Sequence, residues 1–169
     1  MPYPFSVDAD DGDFQQNSEL RRSGVVMRPE EITAPKDLGV HLLFVDDDPN
    51  VCRALWRVFR PHGFQMHAAH NADEALRIFQ ELSVDILITD MRMPGRSGAE
   101  LLAQISESHA HTHRILLTGY ADLRETTQAV RHGLVDDFLT KPWEPQQIEE
   151  CVLRTRHVRE ALEARKAAS

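Results

Sequence analysis

Four short stretches of this sequence hold the residues that could do chemistry. Asp46, Asp47 and Asp48 follow the apolar run "HLLFV", Asp90 follows "ILIT", Thr118 closes "RILLT", and Lys141 follows "DDFLT". Adjacent carboxylates repel one another and resist desolvation unless a counter-charge sits among them, and hard oxygen ligands suit Mg²⁺, which keeps several of its waters. An aspartate can also act as a nucleophile toward phosphorus and form an aspartyl phosphate. The added charge of nearly two units would be met by the cation and a lysine ammonium, while a threonine hydroxyl could donate to a phosphoryl oxygen. Taken singly, each residue has an ordinary reading: Thr118 as a β-branched strand residue, Lys141 as a solvated charge, Asp90 as a turn former before "MRMPG". For Asp48 the ordinary reading is preferred, a helix start with Pro49 at its first position, which leaves Asp46 and Asp47 for metal. Four such groups at successive strand ends form a specific set.

The elements that must position them alternate. Short apolar runs at 40–45, 63–69, 85–89, 114–118 and 136–140 predict five strands, and amphipathic stretches at 50–60, 72–82, 98–108, 121–132 and from 145 predict five helices. This is the pattern of βα units on a parallel sheet, an α/β doubly wound fold. The common five-stranded order is 2-1-3-4-5, which puts ligands beyond the carboxyl ends of strands 1 and 3. The runs at 40, 85 and 114 are nearly all apolar, as in central strands covered on both faces, whereas the second is polar enough for an edge. Asn71 with Glu74 predicts a capping box, and Gly133 a helix end. Ile148, Cys151, Val152, Thr155, Val158 and Leu162 share a face, so the last helix is expected to run to about Ala167. Residues 159–169 would be its surplus, serving as a frayed end, a linker to an output domain, or a dimer seam.

Composition narrows the function classes. Of 169 residues, 41% are hydrophobic, enough for one sizeable core, and the net charge of −8 argues against nucleic acid or an acidic membrane as the main partner. Without a signal peptide or long apolar run, a cytoplasmic protein is expected. Residues 1–38 are acidic and lack a helical or strand period, as in a disordered extension. Cys52 and Cys151 read as small buried hydrophobes, His67 and His70 as surface residues, while His109, His111 and His113 could bind Zn²⁺ or Ni²⁺ from one side of an extended segment.

The stretches "LLFVDDDPNV", "DILITDMRMPGRSG", "ILLTGYAD" and "DDFLTKPW", in this order and spacing, resemble the receiver domains of two-component response regulators over residues 39–158. The resemblance implies the flavodoxin-like (βα)5 receiver fold. It implies Asp90 as phosphoacceptor, Asp46, Asp47 and the carbonyl of Arg92 completing a Mg²⁺ (or Mn²⁺) site with it, Thr118 as the switch hydroxyl, Lys141 as the phosphoryl partner and Phe138 as the switch aromatic. It implies a cis Lys141-Pro142 peptide. It implies partners: a sensor histidine kinase or phosphotransfer protein as donor, and an unidentified downstream protein or a second copy on the face of helix 4, strand 5 and helix 5.

Arg92 and Tyr120, each two residues beyond a member of the set, are expected to stack over the phosphate and shield it from water, giving a long-lived phosphoryl state. Two alternatives remain at this level. One is the receiver portion of a longer regulator with a DNA-binding or enzymatic output. The other is an aspartyl-nucleophile phosphohydrolase, although that class places its nucleophile in a D-x-D at the end of strand 1.

Overall fold

The computed structural model describes residues 37–169. Five parallel strands, β1 (His41–Val45), β2 (Gln65–Ala69), β3 (Ile86–Asp90), β4 (His113–Thr118) and β5 (Asp137–Thr140), pair in the order β2-β1-β3-β4-β5. Between and after them run α1 (Pro49–Phe59), α2 (Ala72–Glu81), α3 (Gly98–Ser108), α4 (Leu123–Arg131), α5 (Pro145–Leu153) and α6 (Arg156–Ala167).

Alternate side chains of the central strands enter two different cores, as strand geometry requires. Leu43, Leu87 and Leu116 pack with Ala75 and Ile78 of α2, Leu101 and Leu102 of α3 and Ala129 of α4. Leu42, Phe44, Ile86 and Ile88 pack on the opposite face with Leu55 and Phe59 of α1 and Ile148 and Val152 of α5. The sheet is therefore wound on both sides, and the expected edge position of the second strand holds. Cys52 and Cys151 are free thiols buried in the second core.

Local chemistry sets the helix ends. Asp48 caps α1, accepting from Asn50 N–H at 2.8 Å, with Pro49 at the first helical position. Gly133, at φ 69°, ends α4 with the paired bonds Leu134 N–H to Ala129 O and Gly133 N–H to Val130 O. Asn71 caps α2 through Glu74 N–H, but the Glu74 carboxylate returns to the N–H of His70 and not to that of Asn71. The predicted box is thus displaced by one residue.

The single long last helix is not found. Backbone at Thr155 is extended (φ −61°, ψ 150°), and α6 starts anew after it. The redirection carries Val158 into the core beside Ile148 and Val152, and His157 Nε2 donates to His111 O at 2.8 Å. Leu162, expected on the same buried face, is 40% exposed. Burial of Val158 outweighs the helical bonds interrupted at Thr155. At the other end, Leu38 is buried and its N–H donates to Gly63 O, so packing begins before residue 39. Residues 1–36 of the expected 1–38 extension lie outside the described residues.

Candidate functional site

Register brings the predicted groups together. Val45 pairs with Thr89, so Asp46 and Asp90 lie side by side one residue beyond. Asp90 pairs with Leu117, and Thr118 with Thr140, so Thr118 and Lys141 follow on the same edge. Main-chain bonds extend the ladders past the strands: Asp46 N–H to Ala69 O, Met91 N–H to Leu117 O, and Lys141 N–H to Thr118 O. The last of these sets the backbone of Lys141, whose Nζ reaches Asp90 Oδ1 at 2.6 Å, and the Lys141-Pro142 peptide is cis. Gly98 lets α3 begin directly against this edge, because a Cβ there would lie 2.1 Å from Asp90 O.

Oxygens of Asp46, Asp47 and Asp90 lie within 4.8 Å of one another, the one such group of three or more metal-ligating side chains among the described residues. Asp46 and Asp90 are buried and Asp47 is exposed. Asp46 Oδ1 accepts from Asp48 N–H at 2.9 Å, whereas its buried Oδ2 has no hydrogen-bond partner. Burial pushes the Asp46 carboxyl up to about 6; the Asp48 N–H opposes this, the Asp90 charge adds to it, and the Lys141 ammonium opposes it. Three carboxylates with one ammonium and an orphaned oxygen fit a small hard dication, whose charge would offset both the mutual repulsion and the desolvation.

The Thr118 hydroxyl is buried and lies 2.8 Å from Thr126 Oγ1. Phe138 on β5 is 45% exposed.

The side chains of Arg92 and Tyr120 depart from the expected stack. Arg92 Nε donates to Asp122 Oδ1 at 2.6 Å and Nη2 lies 3.4 Å from Glu125 Oε1, while Tyr120 is 74% exposed. A guanidinium gains more from charge-assisted bonds to two carboxylates than from lying on a solvated ring. The three histidines do not form one cluster, although the rings of His109 and His111 lie 6.4 Å apart. His109 packs its ring 4.9 Å from that of Phe79, His111 meets Ser83 Oγ, and His113 pairs with Asp137 at 2.8 Å, so they do not converge on a metal. Nor are His67 and His70 plain surface residues. His67 is half-buried, stacked 5.3 Å from His41, with its imidazole held below the usual range by burial and by His41. His70 Nδ1 lies 3.2 Å from Asp46 O.

Sequence reasoning gave no role to Gly98, Asp122 or Thr126. A glycine opening a helix after "MPGRS" was a visible signal for the first; Asp122 stood in the quoted "GYAD" immediately before a helix, the position of a capping acid. Nothing in the sequence singled out Thr126.

A 2-1-3-4-5 parallel sheet bearing three carboxylates, a buried threonine and a lysine at its carboxyl edge defines a receiver-type fold. The chain belongs to the response regulator receiver domain family, whose sequence model matches residues 42–153. It is 32% identical over 131 residues to the regulatory protein AtoC of Escherichia coli K12, a match covering 72% of this chain and 28% of that protein. It is 32% identical over 128 residues to the transcriptional regulatory protein FixJ of Rhizobium meliloti, covering 76% of this chain and 61% of that one. A solved receiver domain protein from Clostridium thermocellum, 29% identical, superposes with a TM-score of 0.63 over 77% of this chain and 99% of its own. The chain thus spans less than two thirds of either curated relative. Receiver domains of two-component systems are signalling modules, bind Mg²⁺ at an acidic pocket and interact with histidine kinases or phosphotransfer proteins. No helix among the described residues is long and apolar enough to cross a membrane.

Proposed function

We propose that this chain is a phosphorylation-operated switch in which Asp90 accepts a phosphoryl group from a phosphohistidine of a sensor kinase or phosphotransfer protein. The observation that carries the reading is the 2.6 Å approach of Lys141 Nζ to Asp90 Oδ1 beside the clustered Asp46 and Asp47 oxygens. An Asp90 oxygen attacks phosphorus; a P–O bond forms as the P–N bond to the donor breaks, and its electron pair stays on the departing imidazole nitrogen. Asp46, Asp47, Asp90 and the Arg92 carbonyl would hold Mg²⁺ or Mn²⁺, which supplies charge neutralisation to the transferring group. Lys141, at 2.6 Å from Asp90 Oδ1, would share that task. Thr118 then donates to a phosphoryl oxygen, Phe138 turns inward, and the α4–β5–α5 surface changes the partner or second copy it accepts. Residues 39–158 would act as this receiver, with 1–38 and 159–169 as flanking segments, in the cytoplasm where kinase and donor reside.

A second reading, that the receiver controls a DNA-binding or enzymatic output in a longer regulator, is favoured by the short share of its relatives that the chain spans. Both readings share one test. Intact mass after incubation with Mg²⁺ and acetyl phosphate is expected to rise by one phosphoryl group in the wild type and not in Asp90→Ala. A folded wild type that gains no mass from acetyl phosphate or from a phosphorylated histidine donor would overturn the proposal.

A further inference from the structure

The resting positions of Arg92 and Thr118 both trace to one residue, Asp122. Asp122 is 5% exposed, and its carboxylate takes the Arg92 guanidinium at 2.6 Å. Its main-chain carbonyl accepts from Thr126 Oγ1 at 2.9 Å. A hydroxyl has a single proton to give. Thr126 Oγ1 also lies 2.8 Å from Thr118 Oγ1, and the Thr118 hydroxyl has Gly119 O as a second partner at 3.3 Å. The Thr118 hydroxyl is therefore engaged by Thr126 and Gly119 O, and the Arg92 charge by Asp122 and Glu125. Neither is free for a group on Asp90.

We infer that Asp122 is a positioning residue that latches the resting state, holding Arg92 and, through Thr126, Thr118 away from Asp90 until a phosphoryl group there outcompetes it for the guanidinium. The inference rests on Asp90 as the phosphoacceptor. Phosphorylation places nearly two further negative charges two residues from Arg92. If the guanidinium turns to them, Asp122 becomes a buried carboxylate without its counter-charge, which is costly. The cost is relieved when residues 120–126 move outward, and that movement separates Thr126 from Thr118. One electrostatic competition then releases both the cation and the hydroxyl.

The experiment is binding of beryllofluoride with Mg²⁺ as a phosphoryl mimic, followed by the bound ¹⁹F signal. Asp122→Asn removes the charge that holds Arg92 and is expected to tighten binding about tenfold, the scale of one charge-assisted hydrogen bond. In an Arg92→Gln background the same substitution should give no tightening, a coupling that mere loosening of the loop would not produce. Thr126→Val, which leaves the ion pair intact, should also tighten binding, and should do so with or without Arg92. Unchanged or weaker binding in Asp122→Asn, or tightening that persists in the Arg92→Gln background, overturns the latch. If Asp122→Asn does not fold, failure of Thr126→Val to tighten binding overturns it. A wild type showing no bound signal, like the Asp90→Ala control, overturns the phosphoacceptor reading itself.

Discussion

Lys141 Nζ stands 2.6 Å from Asp90 Oδ1, though the two residues are 51 apart in the chain. The ammonium pairs with one of the three clustered carboxylates, and its charge opposes the upward push of burial on the Asp46 carboxyl. Lys141→Ala should slow phosphorylation of Asp90 by acetyl phosphate roughly tenfold to a hundredfold, the scale of a lost charge-assisted bond. The same change should tighten Mg²⁺ binding severalfold, since the pocket becomes more negative. A time course of intact mass and a Mg²⁺ titration read the two opposite effects.

Asp46 gives the metal-free protein a pH dependence of defined sign. Its folded carboxyl titrates near 6, above the ordinary value of 3.8, so the folded state holds this proton more tightly than the unfolded one. The stability it contributes is fully present below pH 3.8 and is lost as pH rises through about 6, by at most about 3 kcal/mol. Thermal melts from pH 4.5 to 7.5 without metal should show this slope superimposed on the other carboxylates, and Asp46→Asn should remove it. Mg²⁺ at neutral pH should restore the wild type and do little for the variant.

Gly98 is predicted to be intolerant of a side chain. A Cβ at 2.1 Å from Asp90 O forces either the start of α3 or the end of β3 to shift. Gly98→Ala should lose roughly 1–3 kcal/mol in denaturant unfolding, and phosphorylation of the folded fraction should slow as well.

Val158 and Leu162 lie one turn apart on α6, yet Val158 is fully buried and Leu162 is 40% exposed. Val158→Ala should cost roughly 1–2.5 kcal/mol, because Val158 is fully buried, whereas Leu162→Ala should stay within about 0.5 kcal/mol. Equal losses would mean that Leu162 is packed as deeply as Val158. Chemical unfolding of both variants decides.

The strand ends were legible because each central strand is an unbroken apolar run closed by a polar residue. "LLFVD" and "ILITD" mark where the sheet meets water as well as what it presents there. Asp48 and Gly133 were legible for a similar reason, since capping depends on residues within a turn of one another. The last helix misled because Ile148, Cys151, Val152, Val158 and Leu162 keep a helical spacing, and spacing does not register the extended backbone at Thr155 that lets Val158 pack. For Arg92 the carboxylates that take the guanidinium come from another segment, Asp122 and Glu125, which no spacing around Arg92 records.

The sequence by itself determined the winding of the sheet and the five groups at its carboxyl edge, Asp46, Asp47, Asp90, Thr118 and Lys141. Strand period, helix period and end residues are local properties, and a five-stranded parallel order leaves little freedom in what the ends bring together. Tertiary structure alone decided that Asp46 keeps one oxygen without a partner, that the Thr118 hydroxyl meets that of Thr126, and that Arg92 is held by Asp122. Those outcomes turn on burial and on competition for single protons and charges among segments distant in the chain, and no periodicity within a segment encodes them.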